Sequence, residues 1–207
     1  VALGLFLAAW VFASTAVLLL QRSRGGAGQL TRASRSFCGM VLAHVGIGIF
    51  IVGVTMVRGY ETERDVKMGL GDHVDVAGYR FTFRGVQEAT GPNYVAVRGD
   101  LEVRPVAGGA SLTMTPEKRL YKEQQMPMTE AAIDAGLTRD LYVSLGEPLD
   151  EKTWTVRVYH KPFVDWIWGG AFVMALGGLL ALTDRRYRVA VRRERETSLP
   201  PLREAAA

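Results

Sequence analysis

Three apolar runs and one long alternating stretch divide the chain. Val1–Leu20 reads VALGLFLAAWVFASTAVLLL, Phe37–Val57 reads FCGMVLAHVGIGIFIVGVTMV, and Phe163–Thr183 reads FVDWIWGGAFVMALGGLLALT. At the helical rise of about 1.5 Å per residue, about 20 apolar residues span a hydrocarbon core of about 30 Å. The runs predict transmembrane helices over residues 1–20, 37–57 and 163–183. A signal peptide is the rival reading of the first run, but that run has no basic n-region and is long enough to cross. Between the second and third runs the period changes to two. Tyr79, Phe81 and Phe83 alternate with Arg80, Thr82 and Arg84; Val95 and Val97 with Ala96 and Arg98; Leu101 and Val103 with Asp100, Glu102 and Arg104. Leu141, Val143 and Leu145 follow, then Trp154, Val156 and Val158. Such alternation marks half-buried antiparallel strands. Val76-Ala77-Gly78, Thr90-Gly91-Pro92-Asn93, Gly108-Gly109 and Gly146-Glu147-Pro148 supply the turns. Pro127 to Gly136 is predicted as a short helical turn capped by Thr129. The fold class is an α-helical membrane protein with three transmembrane helices and an inserted all-β domain over 58–162, a small antiparallel sandwich or barrel of about six strands.

Charge sets the topology. The chain carries a net +4, which invites a nucleic-acid reading, but the basic residues stand beside the apolar runs. Residues 21–36 hold Arg22, Arg24, Arg32 and Arg35 and no acid, whereas 58–162 hold 14 basic against 16 acidic residues. By the positive-inside rule the loop 21–36 is cytoplasmic and the β-domain lies outside. Asp184-Arg185-Arg186-Tyr187-Arg188 reads as a stop-transfer signal, and 184–207 as a cytoplasmic tail. The expected partner on this ground is membrane lipid, with no nucleic acid. Trp166 and Trp168 form an aromatic belt near the outer end of the third run, with Asp165 at headgroup level. Trp10, mid-run, is expected to pack within the bundle. The chain opens at Val1 inside an apolar run, which reads as a piece of a longer protein with its N-terminal part upstream.

Candidate chemistry is sparse. The single cysteine, Cys38, excludes an internal disulfide, a C-x-x-C redox pair and a C-x-x-C-H haem attachment motif. The glycines at 46, 48 and 53 lie in a membrane helix, which excludes a phosphate-binding loop. The carboxylates of the β-domain are expected on solvated outward faces. Met126 and Met128 could ligate copper, but packing is the preferred reading. Of three histidines, His73 reads as a surface turn residue and His160 as an interfacial residue where the domain meets the third helix. His44 lies inside the second apolar run, where an ionisable group needs a partner, a cavity or a metal. At helical spacing His44 stacks with Met40 on one side and Gly48 on the other, and Gly48 leaves room for a flat ligand. Gly39, Ala43, Gly46 and Gly53 form a strip of small residues that allows close helix approach. From the residues alone, helix packing, metal or haem ligation and proton relay all stay open for His44.

Several stretches together resemble the C-terminal portion of the CcmF/NrfE family, the cytochrome c maturation haem lyases of bacteria. They are Gly39-Met40-Val41-Leu42-Ala43-His44-Val45-Gly46, Pro127-Met128-Thr129-Glu130-Ala131-Ala132-Ile133, and Arg139-Asp140-Leu141-Tyr142-Val143-Ser144-Leu145-Gly146-Glu147. Lys161-Pro162-Phe163 through Trp166-Ile167-Trp168, Met174-Ala175-Leu176-Gly177-Gly178 and Asp184-Arg185-Arg186-Tyr187 complete the set, in the family's order over most of 37–188. Asp165 departs from the pattern, standing where the family would place a basic residue.

The resemblance implies a multi-pass protein of the bacterial inner membrane with its β-domain in the periplasm. It implies transfer of haem from a periplasmic haem chaperone to the Cys-X-X-Cys-His motif of apocytochrome c, alongside other cytochrome c maturation subunits. It also implies a haem b held by two transmembrane histidines, of which His44 matches the second, with Met40 and Gly48 as haem-pocket neighbours. The b-haem would take electrons from a donor in the membrane. The family's tryptophan-rich periplasmic segment, its two flanking histidines and the other transmembrane ligand have no counterpart in this sequence. The chain alone is accordingly expected to be inactive and to hold haem weakly. The β-domain is expected to buttress the periplasmic face or dock partners; no catalytic residue is assigned. The alternatives are a membrane-anchored periplasmic scaffold without cofactor and a b-type cytochrome subunit.

Overall fold

The computed structural model describes residues 1–24, 33–123 and 126–184. Arg32, Gln124, Gln125, and the stop-transfer and tail residues from Arg185 onward lie outside the described residues. Three helices among the described residues are long and apolar enough to cross a membrane: α1 (Ala2–Ser23), α2 (Arg35–Tyr60) and α3 (Val164–Leu182). Between α2 and α3 the chain forms ten strands: β1 (Thr62–Gly69), β2 (His73–Val76), β3 (Tyr79–Thr90), β4 (Tyr94–Pro105), β5 (Leu112–Met114), β6 (Glu117–Tyr121), β7 (Pro127–Glu130), β8 (Ala132–Asp134), β9 (Arg139–Pro148) and β10 (Thr153–Pro162). The fold is a membrane-helix protein carrying a β-sandwich. Its contacts divide it into two compact units, Val52–Ile167 (with Val1), and Ala2–Ile51 together with the helix residues from Trp168 on.

In the first unit, one sheet runs β1-β10-β9-β8 and the other β2-β3-β4-β6-β7, with β5 also on β4. All pairs are antiparallel, so hairpins join neighbours and inward side chains recur every second residue. Phe81, Phe83, Leu101 and Val103 of one sheet meet Leu141, Val143, Leu145, Val156 and Val158 of the other, all essentially without exposure. Burying each such side chain contributes about 1.5–3 kcal/mol. The β2–β3 hairpin turns at Ala77 and Gly78, both at positive φ (47° and 82°). That geometry gives the two-residue turn whose twist matches the strands.

Three expectations change here. Among the described residues the sandwich has ten strands, not about six. Strand β1, TERDVKMG, hides its period-two signal under four charges, and only Met68 is fully buried. Its stabilising signal is cross-strand: Asp65 faces Arg157 in register and bonds its guanidinium, while the Tyr159 hydroxyl donates to Glu63 at 2.8 Å. His73 therefore opens the second strand rather than sitting in a turn. The expected helical turn at 127–136 is instead β7 and β8. Pro127 opens an edge strand, where its missing N–H costs nothing, and Thr129 pairs across to Lys118 rather than capping.

In the second unit, α2 and α3 touch backbone to backbone. A Cβ placed on Gly46 would lie 2.6 Å from Met174 N, and one on Gly177 2.6 Å from both Ala43 N and Gly39 O. The small strip of α2 is thus the seam against α3, whose own Gly170 and Gly177 are buried in it. At the far end of the seam the buried Asp184 carboxylate accepts the Ser36 N–H at 2.9 Å, in the first turn of α2, where a negative charge is favoured. Arg22 lies 4.4 Å from the Phe37 ring centroid. Trp10, expected inside the bundle, is 66% exposed. Gly177→Ala is expected to destabilise the helical unit by about 1–3 kcal/mol, because neither backbone can yield. Gly178→Ala meets nothing within 4 Å and should be neutral. Thermal unfolding of both variants in detergent checks the contrast.

Candidate functional site

Helix α2 places His44 one residue off the glycine seam, on the side that meets α1. Its Nδ1 lies 2.8 Å from the Met40 carbonyl oxygen one turn back. A carbonyl only accepts, so Nδ1 carries a proton, and in the neutral ring Nε2 is the nitrogen with the lone pair. The ring is exposed at a groove of about 250 Å³ lined by Ser14, Thr15, Leu18, Met40, Val41 and His44. The protons of the two hydroxyls are already used, since Ser14 and Thr15 both donate to the Val11 carbonyl, at 3.0 and 2.7 Å. The arrangement offers one oriented imidazole nitrogen, Nε2, beside Leu18, Met40 and Val41. An iron or similar borderline metal accepts such a ligand, and the second ring nitrogen already has the backbone partner that ligation requires. Gly48, also on this side of α2, receives the Phe12 ring: a Cβ there would stand 2.6 Å from Phe12 Cε1. The space left by Gly48 is thus taken up by helix α1.

A family model described as "CcmF C-terminal beta-sandwich" matches residues 59–162. The chain belongs to the CcmF family. The cytochrome c-type biogenesis protein CcmF of Escherichia coli K12 is 49% identical over 189 residues, covering 90% of this chain and 28% of that protein. The protein of the same name from Pseudomonas aeruginosa is 48% identical over 191 residues, with the same coverage of both. The cytochrome c-type biogenesis protein NrfE of Haemophilus influenzae is 31% identical over 148 residues, 72% of this chain and 23% of its own length. A solved structure titled "Cytochrome c Heme Lyase CcmF" superposes with a TM-score of 0.70 at 19% identity, over 86% of this chain and 29% of that one. That likeness shows the shared fold. The chain spans under a third of the length of these CcmF relatives.

The other residues singled out in the sequence do not join His44. His73 is exposed in β2, opposite Thr82. Met126 and Met128 are 65% and 49% exposed, so packing does not account for them. No group of three or more His, Cys, Asp or Glu side chains suited to a metal occurs among the described residues. The expectation of uniformly solvated carboxylates fails at Glu117 and Asp140, which are 6% and 8% exposed. Glu117 sits between Arg119 and Arg98, at 2.8 and 2.6 Å, and these hydrogen bonds hold its carboxyl below the ordinary glutamate range. Glu117 and Arg119 share one face of β6 through period-two spacing, whereas Arg98 joins them only through the pairing of β4 with β6.

His160 is the second histidine with a defined setting. It lies on β10, its ring stacked on Tyr79 with centroids 6.3 Å apart. Its buried Nδ1 has no hydrogen-bond partner among the described residues. Burial, and then the Arg139 charge, push its pKa below the ordinary histidine value of 6.5. The folded domain therefore resists protonation that the unfolded chain accepts. Stability from this site is full above pH 6.5 and falls as the pH drops through and below that value. His160→Gln should flatten this part of the pH–stability curve, as read by urea unfolding between about pH 8 and pH 5.5.

Proposed function

We propose that this chain is the C-terminal part of a haem lyase of cytochrome c maturation, and that His44 Nε2 is an axial ligand of an intramembrane haem b. The observation that carries the reading is the His44 Nδ1–Met40 carbonyl bond at 2.8 Å, which fixes the ligating tautomer inside a membrane helix. In this reading the membrane is the bacterial inner membrane and the sandwich faces the periplasm. The arginines at 22, 24 and 35 then stand on the cytoplasmic side, as the positive-inside rule requires. Haem from a periplasmic haem chaperone would be joined to apocytochrome c by residues outside this chain, with other maturation subunits present.

The chain's own residues have four tasks. His44 donates one nitrogen lone pair. The Met40 backbone carbonyl holds the imidazole proton on Nδ1, so the ring cannot turn over and present the wrong atom. Leu18, Val41 and Met40 line the groove beside the imidazole. Gly48 lets the Phe12 ring seat α1 against α2, which holds the groove wall beside His44. A haem b bound there supplies a one-electron redox centre within the membrane.

The test is the yield of haem-stained holocytochrome c in cells whose sole copy carries His44→Ala, at membrane levels matched by immunoblot. Altering residues that merely orient a metal ligand costs about 10–100-fold, so removing the ligand is expected to lower the yield at least as far. An unchanged yield would favour a cofactor-free scaffold.

A further inference from the structure

The loop between β8 and β9, Ala135-Gly136-Leu137-Thr138, is held by hydrogen bonds on several sides. The Gly136 N–H donates to the buried Asp140 carboxylate at 3.1 Å. Arg139 closes the loop from the other side: it bonds the Asp134 carbonyl at 3.0 Å, pairs with the Asp134 carboxylate, and donates to the Tyr79 hydroxyl at 3.1 Å. Two further bonds tie the loop to the start of α3. The Phe163 N–H donates to the Thr138 carbonyl at 3.2 Å, and the Trp166 indole N–H to the Leu137 carbonyl at 3.0 Å. Phe163 makes this junction through a left-handed backbone, φ 58°, and packs edge-on against Trp166 at 5.1 Å. A non-glycine residue holds that conformation only where its surroundings enforce it.

At the tip of this pinned loop Leu137 is 72% exposed. A leucine kept in water forgoes about 2 kcal/mol of transfer free energy, and here no loop mobility lets it fold away. Its depth is fixed by Trp166, which stands in the first turn of a helix apolar enough to cross a membrane. Tryptophan at such a position lies at headgroup level. A residue whose carbonyl binds the indole N–H lies within a few ångströms of the same level. Tyr60, 54% exposed, places a second ring of the interfacial kind at the last residue of α2.

We propose that loop 135–138 is a lipid-contacting foot of the β-sandwich, with Leu137 inserted into the interfacial zone of the bilayer. Lipid is the occupant because the loop is continuous, through the Trp166 bond, with the membrane surface the helix itself defines. The foot is a third membrane attachment of the domain, beside the two covalent junctions at α2 and α3. The proposal rests on the helices crossing a membrane and is independent of what His44 binds.

The test uses the full-length protein in lipid nanodiscs, with Cys38→Ser and Leu137→Cys, labelled with the environment-sensitive dye NBD. Leu70→Cys is the aqueous reference. Leu70 is 76% exposed and follows Gly69, which pairs at the opposite end of β1 from Thr62. The expected result is blue-shifted, brighter NBD emission at position 137 that is lost when the lipids carry a nitroxide on the upper acyl chain. Position 70 should give dim emission that aqueous dithionite abolishes. Dim, dithionite-sensitive emission at both positions would overturn the proposal. So would bright emission at 137 that the nitroxide lipid leaves unchanged, since protein would then cover the loop.

Discussion

Backbone contact between α2 and α3 constrains most of what else the chain can do. Gly39, Ala43 and Gly46 on one helix meet Gly170 and Gly177 on the other without intervening side chains. Where lipid tails are as apolar as leucine, such close packing replaces the hydrophobic effect as the force that joins helices. The seam consumes one side of α2. A neighbouring side takes the Phe12 ring at Gly48. His44 is left at the remaining groove, where a ligand could approach it.

The β-sandwich is built on a different principle. Its two sheets share a dry core of Phe81, Phe83, Leu101, Val103 and the inward residues of β9 and β10. Its edges and rims are held by cross-strand ion pairs, of which Glu117 with Arg98 and Arg119 is the most buried. Exposed pairs of this kind contribute little individually. Their value here is register: on the outer face of β1 and β10, Asp65 stands opposite Arg157 and favours the observed alignment. The loop 135–138 and Phe163 join this domain to the helix that follows it.

Much of this was legible in the sequence, for identifiable reasons. Apolar runs at membrane length, the small strip on α2 and the inward residues of β3, β4, β9 and β10 follow simple periods, and the structure uses them. Strand β1 was missed because four charges mask its period, although they are the charges that pair it. Residues 127–136 were misread because Pro-Met-Thr-Glu imitates a helix start, and local propensity lost to pairing with β6. His44 was found from its place in an apolar run. The carbonyl that sets its tautomer and the ring that fills the space at Gly48 were not, because both depend on backbone position and on α1. Arg98 reaches Glu117 and Arg119 only through strand register, and the Trp166–Leu137 bond forms only through a loop that sequence spacing does not fix.

The central claim concerns one nitrogen atom, His44 Nε2, and its most direct test is the reduced-minus-oxidised visible spectrum of the purified full-length protein beside its His44→Ala variant. The account predicts a b-type spectrum that collapses on substitution while the protein stays folded. A b-type spectrum unchanged by the substitution would contradict it, returning His44 to helix packing and placing the haem on other residues.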